Sequence, residues 1–334
     1  MTTIAPEAPR ADAPAPVPTA GTVGARPPAG LPPLPFWLRP PANRKPKVPR
    51  PNPRQARWWI GVVWLILSVL LLGFVAHVAL FGVVQHARNQ AAGYDELRAS
   101  LAKAETPLGQ LDLHKNLVAP GTPIALIDIP KIRLDEVVRQ GTSSDVTRLG
   151  VGHRRDTPMP GQSGTSILFG RQSAYGGPFG GLSALVPGDT IRVTTGQETH
   201  TFTVFGLRRP GDPLPQALKA NAGRLELVTA DGPPLAPVGV LYVDAALKGT
   251  PSATPANVLT ERALDPGETV MATDVSGWLP LLFIFQWLVV ASVLTRWLLQ
   301  KWGRWQTWIV AAPVLLVLGA TTADCAMALL PNLI

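Results

Sequence analysis

Few residues in this sequence of 334 residues have the types and spacing that nucleophilic catalysis requires. Ser173 stands in a glycine-rich run, and its hydroxyl could attack a substrate if His153 or His200 acted as the base. A lone serine in such a loop is more often a turn residue, so this pairing is an alternative interpretation. The sequence has one cysteine, Cys325, which lies late in an apolar stretch. Because there is only one, the chain can form neither an internal disulfide nor a cysteine-based metal cluster. We expect no cofactor.

Short apolar runs separated by Gly, Pro and Asp turns predict β-strands in the middle of the chain. These runs cover residues 124–129, 166–169, 190–193, 201–205, 225–228 and 239–243. Many short strands with turn signals are typical of a β-sandwich or a closed barrel. The pattern alone does not choose between these two architectures.

The same region contains several distinctive motifs. In chain order they are Ile129-Pro130-Lys131-Ile132-Arg133-Leu134, Gln140-Gly141-Thr142, Gly150-Val151-Gly152-His153, Pro160-Gly161-Gln162-Ser163-Gly164-Thr165, the run from Gly170 to Phe179, Leu185-Val186-Pro187-Gly188-Asp189 and the run from Leu225 to Asp231. Together they resemble the sortase family, the cell-surface cysteine transpeptidases, and within it the class E-like sortases of high-GC Gram-positive bacteria, the actinobacteria. The resemblance implies a sortase-like β-barrel at residues 121–248, in which Lys131-Ile132-Arg133-Leu134 is an entry strand.

The resemblance also implies a cysteine nucleophile, a histidine that serves as acid or base, and an arginine that stabilises the oxyanion. At the expected cysteine position stands Ala230, and at the expected histidine position, after Gly170, stands Arg171. The arginine is expected on the strand around Val240, but no arginine occurs from Leu225 to Ala246. Because the thiolate is the nucleophile, its loss excludes ordinary transpeptidation. We therefore predict no catalytic residues.

Polar residues near the vacated positions could line a peptide groove. The candidates are His153, Arg171, Tyr175, Thr229 and Asp231. Arg171 could receive a carboxylate or form an internal ion pair with Asp231, and the sequence does not rank these two roles. Successive strand side chains point to opposite faces, so the Thr229 hydroxyl should not replace the missing thiol. We interpret His153 as a structural residue bonded to nearby backbone.

Three apolar stretches are long enough to cross a bilayer as helices. We predict transmembrane helices at residues 58–84, 278–299 and 305–331. Clusters of Lys and Arg precede the first stretch and separate the second from the third, so both segments should be cytoplasmic and the barrel extracytoplasmic. The predicted location is the plasma membrane, with a multi-pass topology and a cytoplasmic N-terminus. The net charge of +8 then favours membrane lipid as a partner and not nucleic acid.

The remaining segments are predicted from composition and spacing. Residues 1–57 hold 16 of the 36 prolines and predict a disordered, basic cytoplasmic tail. Residues 85–120 predict a solvated juxtamembrane helix and a linker, and residues 249–277 predict a linker back to the membrane. His77 and Asp324, inside the first and third apolar stretches, could form a buried polar contact, although each could also be a simple packing or headgroup residue.

These inferences predict a mainly β protein with three transmembrane helices that is a pseudosortase, a catalytically inactive sortase-like protein. Its expected role is a binding or scaffold module at the cell envelope surface. Expected partners are a surface protein, a sorting-signal peptide or other membrane subunits. One alternative is a sortase-like transpeptidase or hydrolase with a non-cysteine nucleophile or a partner-completed site. Another is a structural subunit of a membrane transport or secretion complex.

Overall fold

A computed structural model of the chain describes residues 56–334. Eight strands form one closed barrel, which confirms the predicted fold class. They are β1 (Pro123–Ile129), β2 (Leu134–Gln140), β3 (Val151–His153), β4 (Gly164–Phe169), β5 (Thr190–Thr195), β6 (Thr199–Arg208), β7 (Gly223–Asp231) and β8 (Gly239–Lys248). The tail predicted at residues 1–57 lies almost wholly outside the described residues.

The barrel closes in the order β1-β2-β3-β4-β7-β8-β6-β5. The pairs β2–β3 and β4–β7 are parallel and the other pairs are antiparallel. Alternate residues point inward along most of the strands, as the period of two in a strand requires, and register shifts in β1 and β6 interrupt this alternation. Ile127, Phe202 and Leu227 are among the fully buried side chains of the resulting core.

The structure corrects the expected start of the barrel. Lys131 and Ile132, expected to belong to a strand, lie instead in a 3-10 turn, and Arg133 has a left-handed backbone with a φ of 55°. The strand resumes at Leu134 as β2, which the sequence pattern did not predict. Its sequence, Leu-Asp-Glu-Val-Val-Arg-Gln, is too polar to read as a buried strand, yet Glu136 and Arg139 are buried.

A helix covers these polar residues of β2. Helix α1 (Ala56–Ala76) continues through a π-helical turn (His77–Phe81) into α2 (Gly82–Ala102). The His86 ring lies 2.7 Å from the Glu136 carboxylate, and the Gln90 side chain accepts a hydrogen bond from the backbone N–H of β2. The expectation of a solvated juxtamembrane helix is therefore wrong, because α2 packs on the barrel of its own chain.

Three helices of the described residues are long and apolar enough to cross a membrane. They cover Arg57–Ala76, Val275–Lys301 and Arg304–Ala328. The short helix α3 (Ser144–Thr147) lies between β2 and β3. The last two spans contain α4 (Trp278–Lys301) and α5 (Arg304–Ala328), which pack together as a hairpin. Helix α5 ends at Ala328, three residues before the boundary expected at residue 331, and a turn follows.

The predicted linker at residues 249–277 follows the barrel surface closely. Glu268, which is 3% exposed, receives two-point hydrogen bonding from Arg155 at 2.6–3.1 Å. The Thr142 hydroxyl donates to the backbone carbonyl of Glu268. This segment, the end of α5 and the barrel therefore meet on one side of the molecule.

Candidate functional site

Ala230, at the position where the family resemblance implies a nucleophile, lies near the end of β7. It is directly opposite Val240 of β8 in the strand register. On the other side of β7, the backbone N–H of Gly170 donates to the carbonyl of Val228, so Arg171 follows β4 beside the same site. The structure thus brings together the three positions at which we expected the catalytic groups.

These residues lie on the face of the sheet that points away from the barrel core. Phe169, Val228, Ala230 and Val240 form a separate buried cluster, whereas Leu225 and Leu227 of the same strand belong to the core. We call the surface formed by Phe169, Val228, Ala230 and Val240 the outer groove. The alternation of a strand explains why Ala230 belongs to the groove and Thr229 does not.

Arg171 is a fully buried cation at one edge of the outer groove. One terminal nitrogen donates to the Ser144 hydroxyl at 2.7 Å and to the Ser144 carbonyl at 3.2 Å. The guanidinium carbon lies 5.0 Å from the centre of the Tyr175 ring, a cation–π distance. Burial lowers the pKa of Arg171 to about 10, so the group still carries its charge at neutral pH. Gly170 lets the chain reach this position, since a Cβ there would lie 2.4 Å from the Phe179 ring.

Residues Leu330–Ile334, which follow α5, cover the outer groove. We call them the 330–334 segment. Leu333 and Ile334 are 0% and 5% exposed and pack in the same buried cluster as Ala230. Backbone N–H groups of Gln172 and Ala174 donate to the carbonyls of Leu333 and Ile334 at 2.9 and 3.3 Å. The other terminal nitrogen of Arg171 donates to the carbonyls of residues 331 and 334 at 3.3 and 3.4 Å.

Asn332 fixes the centre of this segment. Its side chain is fully buried, and the amide nitrogen donates to the backbone carbonyls of Thr142 and Thr269, each at 2.8 Å. Its backbone N–H donates to the carbonyl of Ala272 at 2.9 Å. These hydrogen bonds hold the 330–334 segment in one register, because a shift of the segment would leave the buried polar groups unpaired.

Two other candidate groove residues make contacts of their own. Asp231 pairs with Arg209 at 2.6 Å, so the internal ion pair between Asp231 and Arg171 that the sequence left open does not form. Tyr175 is 1% exposed, and its hydroxyl lies 3.4 Å from the Asp324 carboxylate. The His77 ring lies 3.9 Å from that carboxylate, so these polar residues of two apolar helices do meet.

Among the described residues, no histidine forms a hydrogen bond with either candidate hydroxyl nucleophile. His153 lies on β3, bonded to Gln140 at 2.9 Å and to the carbonyl of Pro158 at 3.0 Å. Burial lowers the pKa of His153 to about 4, so the ring is neutral at neutral pH. His200 contacts Ser252 and Glu198. In the described part of the chain, the buried hydroxyls of Ser173 and Thr229 have no hydrogen-bond partner.

Sequence reasoning missed the residues that complete the site: Ser144, Gln172, Asn332, Leu333 and Ile334. The Pro331-Asn332 pair after a long apolar run marks the end of a helix. Nothing local indicates that the next residues return to the barrel. Between residues 56 and 334 there is also no group of three or more His, Cys, Asp or Glu that could hold a metal ion.

Comparisons with known proteins agree with this architecture. The family model of the sortase domain matches residues 127–234. Sortase SrtE1 of Streptomyces coelicolor is 31% identical over 178 residues, which cover 51% of this chain and 46% of that protein. The match thus spans less than half the length of this curated relative.

Solved structures that are similar also include sortases. The Clostridium perfringens sortase D5 transpeptidase is 24% identical with a TM-score of 0.40, and the match covers 48% of this chain and 99% of that one. Sortase E1 from Streptomyces coelicolor with a tripeptide in the active site is 27% identical with a TM-score of 0.35, covering 40% of this chain and 92% of that one.

Residues 127–234 match the sortase domain, and the eight-stranded barrel that contains them has the fold typical of sortases. The domain is class E-like, as its similarity to Sortase SrtE1 of Streptomyces coelicolor indicates. What the outer groove does in this chain depends on the residues that line it.

Proposed function

We propose that this protein is a membrane-anchored, catalytically inactive sortase-like protein that acts as a binding or scaffold module. In this proposal the barrel holds a peptide or protein partner at the extracytoplasmic face of the cell envelope. It does not cut or join the partner. The chain has its fold in common with transpeptidases, but function depends on the residues of one site and not on the fold.

The observation that carries the proposal is the methyl group of Ala230 in the outer groove. A thioacyl intermediate needs a sulfur atom there, and the only cysteine of the sequence, Cys325, belongs to α5. Arg171, beside Ala230, cannot exchange a proton at neutral pH, because even its lowered pKa is about 10. Arg171 therefore cannot act as a general base.

The surroundings of the two candidate hydroxyls support the same conclusion. A serine or threonine nucleophile needs a base within about 3 Å to remove its proton. His153 and His200 are held by other partners, and a neutral ring with a pKa of about 4 is a weak base. This disfavours an enzyme that uses Ser173 or Thr229.

The membrane topology belongs to the proposal too. Basic residues before α1 and between α4 and α5 favour cytoplasmic positions for both segments and an extracytoplasmic barrel. Anionic lipid would then be the partner of the basic segments. Three apolar helices exceed what an anchor requires, which supports assembly with other membrane proteins as one way in which the module acts.

A covalent probe tests the absence of a nucleophile. The full chain in nanodiscs is treated with a hydroxyl-directed fluorophosphonate, and its mass is measured. We expect no stoichiometric adduct on the wild-type protein, and none on the matched variants Ser173→Ala and Thr229→Ala. A wild-type adduct that one of these variants abolishes would establish an active hydroxyl and overturn the proposal.

A further inference from the structure

The outer groove already contains a peptide, and that peptide belongs to the same chain. The 330–334 segment runs along the residues after β4, with main-chain hydrogen bonds from Gln172 and Ala174. Its Leu333 and Ile334 side chains bury the apolar floor around Ala230. Main-chain bonding plus pockets for individual side chains is a general mode of peptide recognition.

The contacts are those of a built site and not of loose packing. Arg171 donates to two carbonyls of the segment, and Thr142, Thr269 and Ala272 supply three carbonyls to Asn332. Arg171, Thr142 and Asn332 are fully buried in the assembled structure, so their polar groups would lack these partners if the segment left and nothing replaced it. The groove therefore requires an occupant that offers carbonyl oxygens to Arg171 and a buried amide at the position of Asn332.

We propose that the outer groove is a peptide-binding site whose resident ligand is the 330–334 segment. An extended peptide with an asparagine followed by large apolar residues would compete with this segment for the same partners. This inference rests on the proposed function, since it names what the non-catalytic groove binds.

Occupancy of the groove is linked to the apolar hairpin. Only Leu329 separates the segment from the end of α5, and Ser144 also donates to the carbonyl of Ala328. A peptide that displaces the segment must therefore break the connection between α5 and the barrel at this point. By linkage, any change in the hairpin that pulls the segment out would increase the affinity of the groove for the competing peptide to the same extent.

Competition by a peptide copy of residues 328–334 tests this. The probe is an amidated fluorescent peptide, Ala-Leu-Leu-Pro-Asn-Leu-Ile, and the protein is the full chain in nanodiscs. In Asn332→Asp the side chain can no longer donate to the Thr142 and Thr269 carbonyls, so the segment should leave the groove. Leu316→Ala, on an exposed part of α5, is the matched control.

We expect the Asn332→Asp protein to bind the probe at least about tenfold more tightly than the wild-type and Leu316→Ala proteins, because an occupied site lowers apparent affinity by its free fraction. A probe with alanine in place of its asparagine should lose this gain. Equal affinity for all three proteins, or no binding to Asn332→Asp, would overturn the inference.

Hydrogen exchange of the same samples shows whether the segment has moved or the barrel has unfolded. The amides of Gln172 and Ala174 should be protected in the wild type and exchange much faster in Asn332→Asp, while β7 and β8 stay protected in both. Rapid exchange at 172 and 174 in the wild type would contradict the inference. Cleavage of the probe would contradict the proposed function instead, so the two failures are distinguishable.

Discussion

The two faces of β7 are covered in different ways. Leu225 and Leu227 point into the barrel, where side chains from the other strands enclose them completely. Val228 and Ala230 point the other way and are enclosed by Leu333 and Ile334, from a segment attached to an apolar helix. One face is thus buried by the fold of the domain, and the other by a part of the chain about 100 residues further on.

This difference separates stability from function within one strand. The inner face depends on packing, and its residue types are those that any closed barrel needs. The outer face holds Ala230, where the family resemblance implies a nucleophile, and here the chain has a methyl group, a buried arginine and its own peptide. Damage to the inner face should unfold the domain, whereas damage to the outer face should open one site.

The largest expected effect is on the inner face. Phe202→Ala removes a fully buried ring from the barrel core and should lower the free energy of unfolding by about 3–5 kcal/mol. Pulse proteolysis in a urea series measures this. A loss below about 1 kcal/mol would mean that the barrel core is not closely packed.

Acid should act on the barrel through His153. Its pKa is lowered from 6.5 to about 4, so the unfolded state binds more protons below about pH 6.5. The stability supplied by the neutral ring is complete above that value and is lost as pH falls towards 4, up to about 3 kcal/mol. We expect the free energy of unfolding, measured at several pH values, to decrease as the pH falls from about 6.5 to about 4.

His153→Gln should flatten that decline. His200→Gln is the control. Burial also lowers the pKa of His200, so this variant measures the separate contribution of His200 to the decline in stability. An unchanged slope in His153→Gln would show that this histidine is not held neutral in the fold.

A smaller and local effect is expected on the outer face. Leu333→Ala should lower the free energy of opening of the 330–334 segment by about 2 kcal/mol, because it leaves the groove cluster incompletely packed. Exchange at Gln172 and Ala174 should accelerate, while the unfolding free energy of the barrel changes much less. Equal losses in both quantities would show that segment and barrel unfold as one unit.

The smallest effect is expected at an exposed ion pair between β1 and β5. Arg192 bonds to Asp128 at the barrel surface, and exposed pairs contribute at most about 1 kcal/mol. Arg192→Ala should therefore be nearly neutral in pulse proteolysis. A loss comparable with that of Phe202→Ala would contradict the view that buried packing dominates this barrel.

Much of the barrel could be predicted from the sequence because β4 and β7 are apolar runs between turns. Strand β2 could not, since its polar Glu136 and Arg139 are buried with long-range partners that include α2, and a local pattern does not reveal such partners. From their motifs, Ala230 and Arg171 could be placed at one candidate site. The 330–334 segment could not, because its return to the barrel is a long-range contact that its own residue types do not indicate.

Product analysis on the full wild-type chain in nanodiscs tests the central claim most directly. The protein is incubated with a sorting-signal peptide and an amine acceptor, and cleaved and transferred peptides are measured by mass spectrometry. The account predicts intact peptide at all times, because no nucleophile stands at Ala230. Peptide transfer that requires the protein and is lost in Ser173→Ala or Thr229→Ala would contradict the account.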